Sequence, residues 1–111
     1  MFGDIGNLGK LMKIAGEMKR KMPEMQAKLA ASEFSAEAGG GAVRATVNGK
    51  LLIRGVHIDP ALLADTALDA GMLEDLIQAA VSAAQEKAAA AAAEAMKEIT
   101  GGMELPPGFG L

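Results

Sequence analysis

The chain predicts an α+β domain, with a long N-terminal helix, a three-stranded antiparallel sheet, a short helix and a long C-terminal helix. Three observations predict it. Residues Leu11, Ala15, Met18, Met22, Met25 and Leu29 recur at alternating spacings of four and three. Glycine clusters then break the middle of the chain into short alternating runs, and an alanine-rich stretch of helical character follows.

The first helix rests on that stripe, which Ile14 widens. Spacing of this kind is the seam of a coiled coil, or of a helix packed on a similar partner. Pro23 falls inside it and has no amide proton to donate, so a kink is expected there, or a break with Pro23 opening a second segment; the unbroken apolar register favours the kink. The methionines Met18, Met22 and Met25 read as a core or dimer seam with adaptable packing. The glycines before Lys10 read as a mobile N-terminus. Gly9-Lys10-Leu11 lacks the Ser or Thr and the preceding strand of a phosphate-binding loop.

Gly39, Gly40, Gly41 and the pair Asn48-Gly49 delimit three strands, expected at Phe34–Ala38, Ala42–Val47 and Lys50–Ile58, with Asn-Gly as the hairpin signal. Asp59-Pro60 ends the meander. Aspartate suits an N-cap and proline the first helical position, so one helical turn is expected over Ala61–Ala64. From about Asp69 to Thr100 the pattern is helical, with Leu73, Leu76, Ile77, Ala80, Val81 and Ala84 as the apolar face of the first half. Its second half carries the run Ala88–Ala93, which has high helix propensity and lets another backbone come close. Gly101-Gly102 stops this helix.

The 111 residues suit a single domain, residues 1–111, whose last eleven residues, 101–111, form a Pro/Gly-rich tail. Leu105, Phe109 and Leu111 surround Pro106-Pro107 there. The tail either packs back on the protein, docks a partner or stays disordered, and the residues do not choose. Helices of about 24 and 32 residues would run about 36 and 48 Å, against a radius of gyration of about 13 Å for a compact domain of this size. They must project as arms or be covered by another subunit, and a symmetric dimer is the common solution.

The function classes narrow by exclusion. With no cysteine and one histidine, His57, the chain lacks disulfides, thiolate nucleophiles and the usual zinc ligand sets. His57 has only Asp59 near it and reads as structural, while Asp59 reads as a cap. Glu74 and Asp75 lie at a helix start, where the macrodipole accounts for them. No catalytic constellation emerges, so no enzyme, cofactor, metal or small-molecule substrate is expected. No apolar run approaches the roughly 18 residues of a membrane span and no signal peptide is evident, so a cytoplasmic location without membrane association is expected.

The net charge of −3 hides an uneven distribution. Residues 1–28 carry Lys10, Lys13, Lys19, Arg20, Lys21 and Lys28 against three acids, whereas residues 59–111 carry nine acids against Lys87 and Lys97. On a helical wheel Lys10, Lys13, Arg20, Lys21 and Lys28 gather opposite the apolar seam, with Lys19 at its flank. Such a stripe either follows a phosphate backbone or is a solvated helix face whose Glu17 and Glu24 form intrahelical pairs. Arg44 and Arg54 add positive charge on neighbouring strands.

The opening MFGDIGNLGKLMKIAGEMKRKM, then VNG (Val47–Gly49), VHIDPALL (Val56–Leu63), MLEDLI (Met72–Ile77) and GMELPPGFG (Gly102–Gly110) occur in an order that resembles the YbaB/EbfC family of nucleoid-associated proteins. The terminal LPPGF is the most distinctive block. The resemblance implies a tweezer-like homodimer whose protruding helices engage duplex DNA in the bacterial nucleoid, with a role in nucleoid organisation and gene regulation. Pro23 and the alanine-rich second arm depart from the family pattern. On this reading the DNA-binding residues are Lys10, Lys13, Lys19, Arg20, Lys21, Lys28, Lys87 and Lys97. The dimer seam is Leu11, Ala15, Met18, Met22, Met25 and Leu29. With three Phe and neither Tyr nor Trp, base stacking on single strands is not expected. The net negative charge motivates the alternative of a structural adaptor that binds a protein partner through the acidic C-terminal helix or the tail.

Overall fold

A computed structural model describes the backbone of residues 2–100 and the side chains of residues 8–99. The order of elements is α1 (Phe2–Ala31), β1 (Glu33–Ala38), β2 (Val43–Asn48), β3 (Ile53–Ile58), α2 (Pro60–Leu63) and α3 (Ala70–Thr100). This is the expected α+β arrangement. The 101–111 tail, including LPPGF, lies outside the described residues.

One expectation for α1 needs correction, and one alternative is decided. The glycines before Lys10 do not form a loose leader, because the helix begins at Phe2 and takes in Gly3, Gly6 and Gly9. Nor does Pro23 break the helix, which runs through it to Ala31. The missing amide removes one intrahelical bond, and the apolar stripe on both sides holds the segment together through its packing.

The sheet has the order β1-β2-β3, antiparallel throughout. Its first turn is built on Gly39, Gly40 and Gly41, all at positive φ, and is closed by the Ala42 amide donating to the Gly39 carbonyl at 3.3 Å. The second turn differs from a two-residue Asn-Gly hairpin. Asn48 starts a longer connection, and its side-chain oxygen accepts from the Lys50 and Leu52 amides at 2.9 and 3.1 Å. Residue Leu51, not Gly49, takes the left-handed conformation, at φ 68. Gly49 is needed for a different reason: its amide donates to the Leu29 carbonyl at 2.8 Å, and a Cβ there would run into the Leu29 backbone and side chain. This close approach fixes the end of α1 to the sheet. It also shortens β3, which starts at Ile53 instead of Lys50.

Registers Ala36↔Ala45, Ala38↔Val43, Ala45↔Val56 and Val43↔Ile58 place these side chains on one face. That face is covered by α3. Ala80, Ala84 and Ala88, spaced by four, are fully buried with Val43, Ala45 and Val47. Small residues on both layers bring helix and sheet close together. Between Thr46 and Val47 the β2–β3 register shifts, leaving Arg54 as the extra residue of a bulge. The Asp59 carboxylate accepts from the Ala61 amide at 3.0 Å and caps α2 as expected, with Pro60 at its first position. Asp69 caps α3 through the Met72 amide at 2.8 Å.

The molecule spans 72 × 24 × 17 Å with a radius of gyration of 20.0 Å, well above the roughly 13 Å of a compact domain. The helices do project, and they project together. α1 leaves the sheet at Leu29 and α3 leaves it beyond Ala88, and the two pair as an antiparallel arm around Ile14, Met18 and Ile99, flanked by Met22, Met25 and Met96.

Candidate nucleic-acid interface

The arm displays most of the basic residues. Lys10, Lys13, Lys19, Arg20 and Lys28 are exposed and Lys21 is half-buried. The buried centre of α1, Ile14 and Met18, sharpens their placement. At about 100° per residue, Lys13 and Arg20 stand about 100–120° round from Ile14, whereas Lys10, Lys21 and Lys28 fall within about 40° of it. From Met18, the other buried residue of the seam, Lys13 and Arg20 stand about 140–160° away, so this pair opposes the seam, whereas Lys10, Lys21 and Lys28 lie on its flank, where Lys21 loses part of its exposure. Glu17 and Glu24 stand between these cations without forming an ion pair among the described residues. The described residues of α1 thus offer a surface of net positive charge, six cations against Glu17 and Glu24.

The two cations of α3 are engaged. The Lys87 ammonium donates to the Ser35 carbonyl at 2.7 Å, on the outer edge of β1. Lys97 lies 3.4 Å from Glu94, one turn earlier, with both side chains largely in solvent, so the pair contributes little to stability. Arg44 and His57 are register partners on the outer face of the sheet, beside Glu37, and all three are exposed. Among the described residues no group of three or more His, Asp or Glu side chains lies close enough to hold a metal ion. None of the described helices is long and apolar enough to cross a membrane.

Of the six seam residues, Met18, Met22 and Met25 pack on α3 of the same chain. Leu11 is half-buried, Ala15 is exposed, and Leu29 meets Gly49. The intrachain partners Met96 and Ile99 were not visible as such in the sequence, because they lie one per turn in a stretch dominated by alanine.

A second apolar surface was missed as well. α3 covers β1 and β2 and barely reaches β3. By register Ile53 and Val56 belong to the α3-facing side of the sheet, yet they are 55% and 42% exposed. Leu51 and Leu52 in the preceding turn are exposed too. A signal for this surface existed: Leu51, Leu52, Ile53, Val56 and Ile58 make the segment more apolar than a strand with one covered face requires.

Comparison with known proteins agrees with this architecture. The chain is 51% identical over 105 residues to a nucleoid-associated protein of Granulibacter bethesdensis, covering 95% of this chain and 96% of the relative. It shares its fold with the crystal structure of an uncharacterized protein from Helicobacter pylori, at a TM-score of 0.56 and 22% identity over 78% of this chain and 94% of the other. The model of the YbaB/EbfC DNA-binding family matches residues 4–103. That match spans helix, sheet and arm and does not depend on the distinctive LPPGF block. With a 51% identical relative over nearly the whole length beside it, the chain belongs to the YbaB/EbfC DNA-binding family.

Proposed function

We propose that the protein is a nucleoid-associated protein that binds duplex DNA as a homodimer, chiefly through phosphate contacts, and performs no catalysis. The largely exposed surface of α1, with six cations against Glu17 and Glu24, carries this reading. Lys13 and Arg20 form its centre, with Lys10, Lys19, Lys21 and Lys28 around them. Lys87 and Lys97 contribute less, since each is engaged within the chain. With no Tyr or Trp in the chain and no Phe among the described side chains of the arm, affinity comes from counterion release and sequence preference is modest. Its place of action is the bacterial nucleoid.

The second copy adds at β3. Three features support this placement: the uncovered apolar side chains of Ile53 and Val56, the free backbone edge of β3, and the conformation of Leu51. A leucine at φ 68 with an exposed side chain is unfavourable twice over in a lone chain, and burial against a partner offsets both. The opposite edge is guarded by Lys87 on β1. A two-fold axis at β3 would carry one basic arm on each side, a pair able to straddle a duplex.

A gel-shift titration on duplex DNA at about 0.15 M salt tests the function. The wild type shifts DNA at micromolar dimer, whereas the Lys13, Arg20, Lys21 triple alanine variant, folded and dimeric, does not. Absence of a shift by the wild type would favour an adaptor that acts through a protein partner, and unchanged binding by the variant would remove α1 from the interface.

A further inference from the structure

The arm is asymmetric at its far end. α3 stops at Thr100, with Ile99 buried against Ile14 and Met18. α1 continues past that point, and its outer turns present Leu8 at 57% and Met12 at 67% exposure, beside a half-buried Leu11. Spacings of three and four put these residues on one side of the helix. They form an apolar patch that no described part of the chain covers.

The segment that follows α3 fits this patch in reach and chemistry. Because α3 runs antiparallel to α1, the chain leaves Thr100 heading along the outer turns of α1. Leu8 lies about 9 Å beyond Ile14 at 1.5 Å per residue. Residues 101–109, at about 3.1 Å per residue in the extended form that Pro106-Pro107 favours, cover about 28 Å. Gly101-Gly102 allows the change of direction after the helix. Beyond it Met103, Leu105 and Phe109 supply apolar side chains. The paired prolines limit the freedom lost on docking.

We propose that residues 103–111 fold back in the same chain onto the Leu8–Leu11–Met12 face of α1, so that the tail completes the arm where α3 ends. The docked tail leaves Arg20 and Lys28 clear. The interaction requires neither DNA nor a second copy, and so stands or falls separately from the proposed function.

The absence of tryptophan from the chain makes Phe109→Trp a unique reporter. In the full-length protein without DNA, its emission lies at shorter wavelength than that of a free indole and resists acrylamide quenching. Adding Leu8→Asp and Met12→Asp moves it to the solvent-exposed value. Both positions are already in solvent, and unchanged helical circular dichroism confirms that the variant remains folded. When F109W chains are mixed with an excess of L8D/M12D chains lacking tryptophan and allowed to exchange, the shielded emission persists. Exposed emission in the parent F109W protein would overturn the proposal. So would shielded emission that ignores the α1 substitutions, which would place the tail elsewhere. Emission that becomes exposed on subunit exchange would assign the patch to the partner's tail and overturn docking within one chain.

Discussion

The same substitution, glycine to alanine, has opposite consequences at three positions of this chain, and the structure assigns each a sign. At Gly49 an added Cβ would stand 2.6 Å from the Leu29 Cβ and 2.8 Å from its carbonyl carbon. The obstacle is largely backbone, so α1 and the β2–β3 turn must separate. Overpacking of this kind costs about 1–3 kcal/mol, and weakening the Gly49 to Leu29 hydrogen bond of 2.8 Å adds about 0.5–1.5 kcal/mol. Gly49→Ala is therefore expected to destabilise by about 2–4 kcal/mol. Gly40 has open space around it but sits at φ +66, so Gly40→Ala carries only left-handed strain, about 1–2 kcal/mol. Gly16 lies within α1 with nothing within 4 Å of its added Cβ. There alanine is the better helix former, and Gly16→Ala stabilises by about 0.5–1 kcal/mol.

Urea unfolding of the three variants at one fixed protein concentration, followed by circular dichroism, reads these differences directly. The expected order of stability is G16A, wild type, G40A, G49A. A G49A protein within about 0.5 kcal/mol of the wild type would refute the close approach of α1 to the sheet, because surface substitutions fall in that range. The consequence for function is geometric: Leu29 and Gly49 set the angle at which the basic arm leaves the sheet. G49A should lose DNA affinity even under conditions where it stays folded.

Ala84 is fully buried among Val43, Ala45 and Val47, so Ala84→Leu overfills the contact between α3 and the sheet. It should destabilise by about 1–3 kcal/mol in the same unfolding assay. Ile53→Asp with Val56→Asp should convert the protein to a folded monomer, read as a halved mass by light scattering, because both side chains are exposed in the single chain. Lys87→Ala uncovers the Ser35 carbonyl on the β1 edge. It should raise self-association with little change in DNA affinity, a combination that separates an edge guard from a phosphate ligand.

Element types were legible in the sequence because each rests on a local cause. Periodic apolar residues, the Asp59-Pro60 cap and the triple glycine each determine structure within a few positions, and all appear where expected. The errors arose where a distant residue decided. Asn48-Gly49 resembles a two-residue turn, but Leu29, some twenty positions earlier, needs the glycine for contact and so displaces the turn toward Leu51. The apolar stripe of α1 was identified, yet its partner was not, because Met96 and Ile99 supply few large side chains and the burial of Ile14 depends on how two distant helices leave the sheet. The basic residues and their side of α1 are legible from composition and helical periodicity. Which of them oppose the seam and which flank it follows from which α1 residues face α3, a tertiary fact. Likewise the excess of apolar residues over 51–58 signals an uncovered face, but its place on β3 appears only once α3 is seen to stop short of it.

The central claim is that two basic arms, one per subunit, hold duplex DNA by its phosphates. Its most direct test is the slope of log affinity against log salt for the wild type and for the Lys13, Arg20, Lys21 triple alanine dimer. Each phosphate contact contributes about 0.9 to that slope, so removing three cations from both arms should flatten it by up to about 5. A change of half that size would mean that one arm engages at a time. An equal slope for the two proteins would contradict the account.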